Sequence, residues 1–310
     1  MTSANRYAPL YTIGLILLAI VALVYVVASL SAESLGALRL RGISGWVLPA
    51  ITALHMSFLL LSAEVWRRLV HALTKVQTAF TQAYLQMAVI SVGKYVPGKI
   101  WGFVARAGQM HREQVPLQKS IASGVIEQIL VLAGATIVAT GAGVLAFPEF
   151  AWLAATVGLA LLAGIIIATL NVSALVRWIL RKRGQELVAD SLEDYHWLSL
   201  LRFSIGYAIL WLISGIILAI IYFALFDASV TPERIAALIL ANTIGFVAGF
   251  FALFAPGGLG VREAVTTAVL TPFLPLPEAL LAAVAFRAWL VIFDGANALL
   301  LIVTESRRKC

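Results

Sequence analysis

Eight ionisable side chains interrupt long apolar stretches of this sequence: Lys94, Lys99, Arg106, Glu127, Arg262, Glu263, Arg287 and Asp294. Lys94 and Lys99 flank Pro97 and Gly98, and Arg106 follows them. Arg262 and Glu263 come directly after Pro256, Gly257, Gly258, Leu259 and Gly260. Arg287 and Asp294 share a helical face but are two turns apart, too far for an i,i+4 pair. Proline inside a helix removes a hydrogen bond and an adjacent glycine lets the chain turn, so each Pro-Gly ends one half-helix and starts another. Half-helices beginning at Gly98 and Gly257 would present free N–H groups and a positive dipole end, both of which favour an anion. The surrounding lysines and arginines add charge of the same sign. This combination suits the binding of a phosphate or a lipid headgroup.

Residue sets for bond-making chemistry are missing. No glycine-rich phosphate loop follows a strand pattern, no HExxH occurs, and the four histidines (55, 71, 111 and 196) are scattered. The single cysteine, Cys310, can form no internal disulfide and supports neither a metal site nor a thiol mechanism. A membrane glycosyltransferase needs acidic residues in an early external loop, where this chain offers only Glu33. The expectation is a protein that is not an enzyme and needs no cofactor and no metal.

Plainer roles are open for several of these groups. Lys94 and Lys99 can snorkel to an interface, and Arg262 with Glu263 can form a local pair starting a helix. Arg287 and Asp294 sit deeper in their apolar run and suit a cavity or a buried network. His55 reads as a satisfied interior histidine rather than a ligand. Asn242 and Thr243 can line the second break or bind helices together. Trp46, Trp66, Trp101, Trp152, Trp178 and Trp197 fall near the ends of apolar runs, as interface aromatics do. Gly141-Ala142-Gly143 reads as a site of close helix packing.

The elements that must hold these groups follow from composition. Of 310 residues, 62% are hydrophobic and 12% charged, about half the charged share of a soluble domain. That excludes a soluble enzyme, a disordered chain and a nucleic-acid binder, despite the net charge of +7. Runs 7–32, 42–63, 128–148, 150–176, 203–226 and 235–261 contain no Asp, Glu, Lys or Arg, and 278–304 is apolar except near Glu278, Arg287 and Asp294. Each is long enough to cross a bilayer. The first run is too long for a signal-peptide core and reads as a retained helix. The segments 76–93 and 264–277 are too short or too polar to be simple spans. The fold class expected is an all-α polytopic membrane protein of about eight transmembrane helices with two broken or re-entrant elements.

Around each break lies one long span, a broken element and another long span, giving repeat units of roughly 43–147 and 201–304 joined by a basic connector at 177–198. Placing the basic loops inside puts both termini in the cytoplasm. The two units then enter from opposite sides, the inverted arrangement of many secondary transporters. Two independent proline kinks would give the same punctuation. Glu127 lies 30 residues after Pro97 and Arg287 lies 31 after Pro256, which suggests an acid from one unit meeting a base from the other.

The segments GKYVPGKIWGFVAR (93–106), APGGLGVRE (255–263) and FRAWLVIF (286–293), with Ser120 and Glu127, resemble the lysylphosphatidylglycerol synthase transmembrane-domain family, a flippase-like family of membrane proteins. The resemblance covers almost the whole chain. It implies an all-helical inner-membrane protein that moves a lipid or lipid-linked substrate between leaflets. By position, the family's glycine-rich break carries onto Pro256, Gly257, Gly258, Gly260 and Glu263, and its last-span arginine onto Arg287. Phe286 departs from the pattern, where the family often has tyrosine. The best-known members also carry a cytoplasmic aminoacyltransferase domain. This sequence resembles the stand-alone members, so it is not expected to make aminoacyl lipids.

The resulting expectation is a lipid flippase or transporter for an anionic or phosphate-bearing lipid or a lipid-linked saccharide in the cell inner membrane. The alternative is a non-transporting scaffold for envelope glycolipid or polysaccharide enzymes. Pro97, Gly98, Lys99, Pro256, Gly257, Gly258 and Gly260 would supply the broken backbone. Lys94, Lys99, Arg106, Arg262 and Arg287 would supply positive charge, and Glu127, Glu263 and Asp294 would hold those cations or respond to protons. The partner implied is a membrane lipid, with a second copy of the chain or envelope-biosynthesis enzymes as further candidates and no nucleic acid. Arg287→Ala is expected to stop transbilayer movement and leave the fold intact.

Overall fold

The computed structural model describes residues 45–96, 100–182, 197–226, 228–252 and 255–307. The expected first span at 7–32, the residues Pro97, Gly98 and Lys99, and most of the basic connector lie outside the described residues. Nine α-helices and no strand occur among the described residues. They are α1 (Val47–Thr74), α2 (Phe80–Gly93), α3 (Trp101–Arg112), α4 (Leu117–Ala146), α5 (Ala151–Lys182), α6 (Trp197–Leu225), α7 (Pro232–Phe251), α8 (Val261–Leu270) and α9 (Leu276–Arg307).

Six of them, α1, α4, α5, α6, α7 and α9, are long and apolar enough to cross a membrane. The other three have 14, 12 and 10 residues. At 1.5 Å per residue they reach about 15 to 21 Å, well short of the ~30 Å hydrocarbon core. Each short helix belongs to a hairpin: α2 folds back on α3, and α8 folds back on α7. The protein is an all-α, multi-pass membrane protein.

Two boundaries differ from the hydropathy reading. α1 runs past residue 63 to Thr74 and takes in Glu64, Arg67 and Arg68. Glu64 accepts from Arg67 Nε at 2.7 Å and Arg68 Nε at 2.6 Å, one turn away along the same face, so the three charges answer one another. The uncharged run 235–261 is not one helix. α7 stops at Phe251, and Gly257, Gly258 and Gly260 follow with φ of 59°, 74° and 80°, a region that glycine enters without steric cost. The start of α7 is fixed by Thr231, whose side chain accepts from the Arg234 N–H, with Pro232 in the first turn.

α1, α2–α3, α4 and α6, α7–α8, α9 follow in the same order along the chain, but the hairpins differ: α7 is long enough to cross a membrane, whereas α2 and α3 are not. α2 packs on α1 and α9, while α7 packs on α4 and α6. The main core gathers Ile51, Ile217, Tyr222, Leu238, Leu270 and Phe286 from α1, α6, α7, α8 and α9. α5 lies outside this core, packed chiefly on α4, and turns Trp152, Leu159 and Leu161 outward. Trp46, Trp101, Trp152 and Trp178 are exposed, as interface aromatics should be. Trp66 is not: it is fully buried, because its indole N–H has a partner inside, the Gln86 side-chain oxygen at 2.7 Å.

In the small-residue run, Ala142 lies in the core and Gly143 packs on Ala154 of α5 and Leu240 of α7, while Gly141 faces open space; the tightest approaches are elsewhere. A Cβ at Gly134 would meet the backbone of α6 at Tyr207 and Ala208, and one at Gly93 would overlap the backbone of Gly102 across the first hairpin. Backbone cannot yield as a flexible side chain does. Gly93→Ala is therefore expected to lower stability by about 1–3 kcal/mol through overpacking. Gly141→Ala, with nothing within 4 Å, is the matched control and should be neutral or slightly stabilising. Thermal unfolding of the two variants in the same detergent checks the difference.

Candidate functional site

The end of α2 meets the turn between α7 and α8. Gly257 donates its N–H to the Lys94 carbonyl at 2.8 Å, joining the two interrupted segments through their backbones. Arg287, from the middle of α9, donates Nη2 to the Gly257 carbonyl at 2.9 Å. The peptide at Gly257 is thus satisfied on both sides, as buried backbone must be. A side chain at this position is excluded twice, by the positive φ and by Tyr95 and Arg287, which crowd the space a Cβ would fill.

This arrangement corrects the expectation of free N–H groups at the second break. Gly257 N–H is bonded to Lys94, Gly258 N–H to the Ala255 carbonyl, and Gly260 N–H to Glu263 Oε2 at 2.7 Å. Glu263 is the third residue of α8 and caps its own helix start, so that positive end already holds a carboxylate. Any anion here must be recognised by side chains instead.

The charges fall into three groups. Lys94 Nζ lies 2.7 Å from Asp294 Oδ2, and Tyr95 donates its hydroxyl to the same oxygen at 2.6 Å. This pair links the end of α2 to α9. It replaces simple snorkelling of Lys94, whose amine turns inward to a carboxylate. Arg106 and Glu127 pair at 2.5 Å and both are 2% exposed. The Arg106 guanidinium also stacks 3.8 Å from the centre of the Trp66 ring. Arg287 Nε stands 3.4 Å from Glu263 Oε1.

Glu127 and Arg287, expected to meet across the two units, are bonded within them instead. α3 packs directly on α4 and brings Arg106 to Glu127, while α8 packs on α9 and brings Glu263 to Arg287. Glu263 therefore serves Arg287 and its own helix start rather than the neighbouring Arg262. Arg262 stacks its guanidinium 3.9 Å from the centre of the Phe246 ring, and among the described residues no carboxylate lies within ion-pair distance of it.

These groups surround a cavity of about 250 Å³ bounded by α1, α2, α4 and the α6–α9 helices. Lys94, Glu127, Arg262, Glu263, Arg287 and Asp294 all line it, from both sides of the meeting point. With Arg106 behind Glu127, four cations face three carboxylates, leaving one positive charge in excess. Arg262 Nε, Arg287 Nε and Arg287 Nη1 are buried donors without a hydrogen-bond partner, and Glu263 Oε1 is a buried acceptor without one, so Arg287 and Glu263 form an ion pair without a hydrogen bond. The rest of the wall is apolar or hydroxyl- and amide-bearing, with Phe58, Leu59, Val131, Leu210 and Leu290 alongside Ser62, Ser91 and Ser214. Asn242 lines the cavity and also joins two helices, donating to Ser214 Oγ at 3.1 Å. Thr243 turns away, bonded to the Ile239 carbonyl.

A family model described as the lysylphosphatidylglycerol synthase TM region matches residues 11–296. The chain belongs to this family. The match takes in both hairpins and every charged residue of the cavity through Asp294. No curated protein and no solved structure matches the chain. Within this lysylphosphatidylglycerol synthase TM-region protein, Phe286 is buried in the main core. The partners that pattern reading missed are Tyr95, Phe246, Tyr207 and Gln86. Tyr95 was visible inside the KYVPG segment, but the others sit in apolar or amide-rich helix with no local signal.

Proposed function

We propose that this protein carries an anionic or phosphate-bearing lipid, or a lipid-linked saccharide, between the leaflets of the cell inner membrane, with both termini on the cytoplasmic side. The observation that carries the reading is the set of unsatisfied donors, Arg262 Nε, Arg287 Nε and Arg287 Nη1, in a cavity with a positive surplus and an otherwise largely apolar wall. A buried donor without a partner costs about 1–3 kcal/mol, and an anionic headgroup oxygen would remove that penalty. A planar guanidinium already stacked on an aromatic ring is well suited to phosphate. Acyl chains would remain beside the apolar helix faces while the headgroup entered. The reading assigns the chain no bond-making step, no cofactor and no metal.

Arg262 is the residue on which to test it, because its removal strands no carboxylate. In vesicles containing the purified protein, labelled phosphatidylglycerol is expected to exchange between leaflets faster than labelled phosphatidylcholine. Arg262→Gln should slow phosphatidylglycerol exchange roughly tenfold or more, the loss of one charged hydrogen bond, without lowering thermal stability. Equal exchange by the parent and a well-folded Arg262→Gln protein would remove the headgroup assignment. No exchange by the parent would favour a non-transporting scaffold for envelope enzymes.

A further inference from the structure

His55 is the histidine of the cavity, and it lacks a hydrogen bond the sequence led one to expect. The residue is 6% exposed, and its ring lines the cavity and stacks on Phe293 with centroids 4.1 Å apart. Nδ1 is buried and has no hydrogen-bond partner. His55, Lys94 and Asp294 line the same cavity, and the ring that His55 stacks on, Phe293, belongs to the helix that carries Asp294. The Lys94–Asp294 pair, with the Lys94 carbonyl accepting from Gly257, joins the interrupted segments.

The other ionisable groups around the cavity are already engaged. Tyr84 donates to Asn297, Tyr95 to Asp294, and Tyr207 to Glu127. Glu127 is held by Arg106 and Arg262 stacks on Phe246, while Glu263 is ion-paired with Arg287 but keeps Oε1 without a hydrogen bond. A proton entering this space therefore meets an open nitrogen at His55 and an unbonded carboxylate oxygen at Glu263, and of the two only His55 has no ionic partner.

We propose that His55 is a proton-binding site coupled to the anionic headgroup, so that each increases the affinity of the cavity for the other. A proton on Nδ1 draws Asp294 toward the imidazolium and loosens its hold on Lys94, whose amine then becomes available to a headgroup oxygen. An anionic headgroup in the cavity in turn favours the charged imidazole. Linkage requires the two effects to be equal. The inference rests on the anionic-headgroup reading above and adds to it the coupling ion.

Trp289 supplies a readout independent of transport. Its ring centroid is 6.4 Å from that of His55, close enough for a charged imidazole to quench its fluorescence. The signal is isolated as the difference between the parent and Trp289→Phe, titrated from about pH 8 to pH 4 across the range in which histidine changes charge. In phosphatidylcholine vesicles the difference signal should fall with acid, and His55→Gln should abolish the fall. In phosphatidylglycerol-containing vesicles the midpoint should move to higher pH, with proton affinity raised roughly tenfold. Arg262→Gln, which experiences the same surface potential, should show a much smaller move. A flat Trp289 signal, a signal that survives His55→Gln, or an equal shift in Arg262→Gln would overturn the proposal. Leaflet exchange without the specific shift would leave transport and remove the proton site. The shift without leaflet exchange would leave the proton site and remove transport.

Discussion

Arg287→Ala is expected to unfold the protein at markedly lower temperature, with a loss of about 3–5 kcal/mol, the usual cost of stranding one member of a buried ion pair. Glu263 is 4% exposed on its side chain and would be left with only the Gly260 N–H as a partner. The Gly257 carbonyl would lose the guanidinium that fixes the turn against α9. The contacts of Arg287 thus predict a destabilised variant, where the sequence alone led to one that is inactive but stable. Adding Glu263→Gln removes the stranded charge and keeps an oxygen for Gly260. The double variant should recover most of the loss. Thermal unfolding of both proteins in one detergent decides it. A single variant within 1 kcal/mol of the parent, about the size of one ordinary hydrogen bond, would show that Arg287 is not part of the supporting network.

A comparable loss is expected at the first hairpin. Arg106→Met leaves the buried Glu127 without a cation, with only the longer hydrogen bonds from Tyr207 and Gln128, and it also removes the cation from the face of Trp66. The expected cost is again about 3–5 kcal/mol. Replacing both partners, as Arg106→Met with Glu127→Leu, should return stability close to that of the parent, since apolar side chains of similar volume substitute well for a buried ion pair. A double-mutant cycle on unfolding free energies measures the coupling, expected at several kcal/mol for two groups in direct contact. A coupling near zero would mean that the pair is solvated and the hairpin is held by its other contacts. The double variant removes one cation and one acid together, so the positive surplus at Arg262 is untouched.

The fold was largely legible because a bilayer leaves few options. Helices must satisfy their own backbones, so uncharged runs mark spans and Pro-Gly marks breaks. The same logic located the cavity charges, since a charge within an apolar run needs a partner or water. Pairing was not legible. Glu127 and Arg287 occupy similar places after their breaks, yet each is answered by the short helix packed beside it, Arg106 from α3 and Glu263 from α8. Which short helix lies against which span is a matter of packing, and spacing along the chain carries no trace of it.

The anion-binding backbone was misread for a related reason. A glycine-rich turn after proline suggests free N–H groups, but three residues into α8 stands Glu263, which takes the Gly260 N–H for itself. The glutamate was visible in the sequence; its reach back to the turn was not. His55 shows the opposite error. A lone histidine in an apolar span is ordinarily satisfied, and only the stack on Phe293 and the unbonded Nδ1 set it apart.

The most direct test measures the character of the cavity itself. With Cys310 replaced by serine, a single cysteine is placed at Ser91, at Ser214, or at the outward-facing Leu159, which is 66% exposed on α5. Reaction rates are then compared for a small anionic and a small cationic thiol reagent of equal size. Fixed positive charge around water speeds the anion and slows the cation, and this preference should shrink in Arg262→Gln. Labelling at Ser91→Cys and Ser214→Cys with the anionic reagent ahead, and no labelling at Leu159→Cys, is the predicted result. Equal or cation-favouring rates at both cavity positions, or labelling only at Leu159→Cys, would contradict a hydrated, positively charged hollow where the two interrupted segments meet.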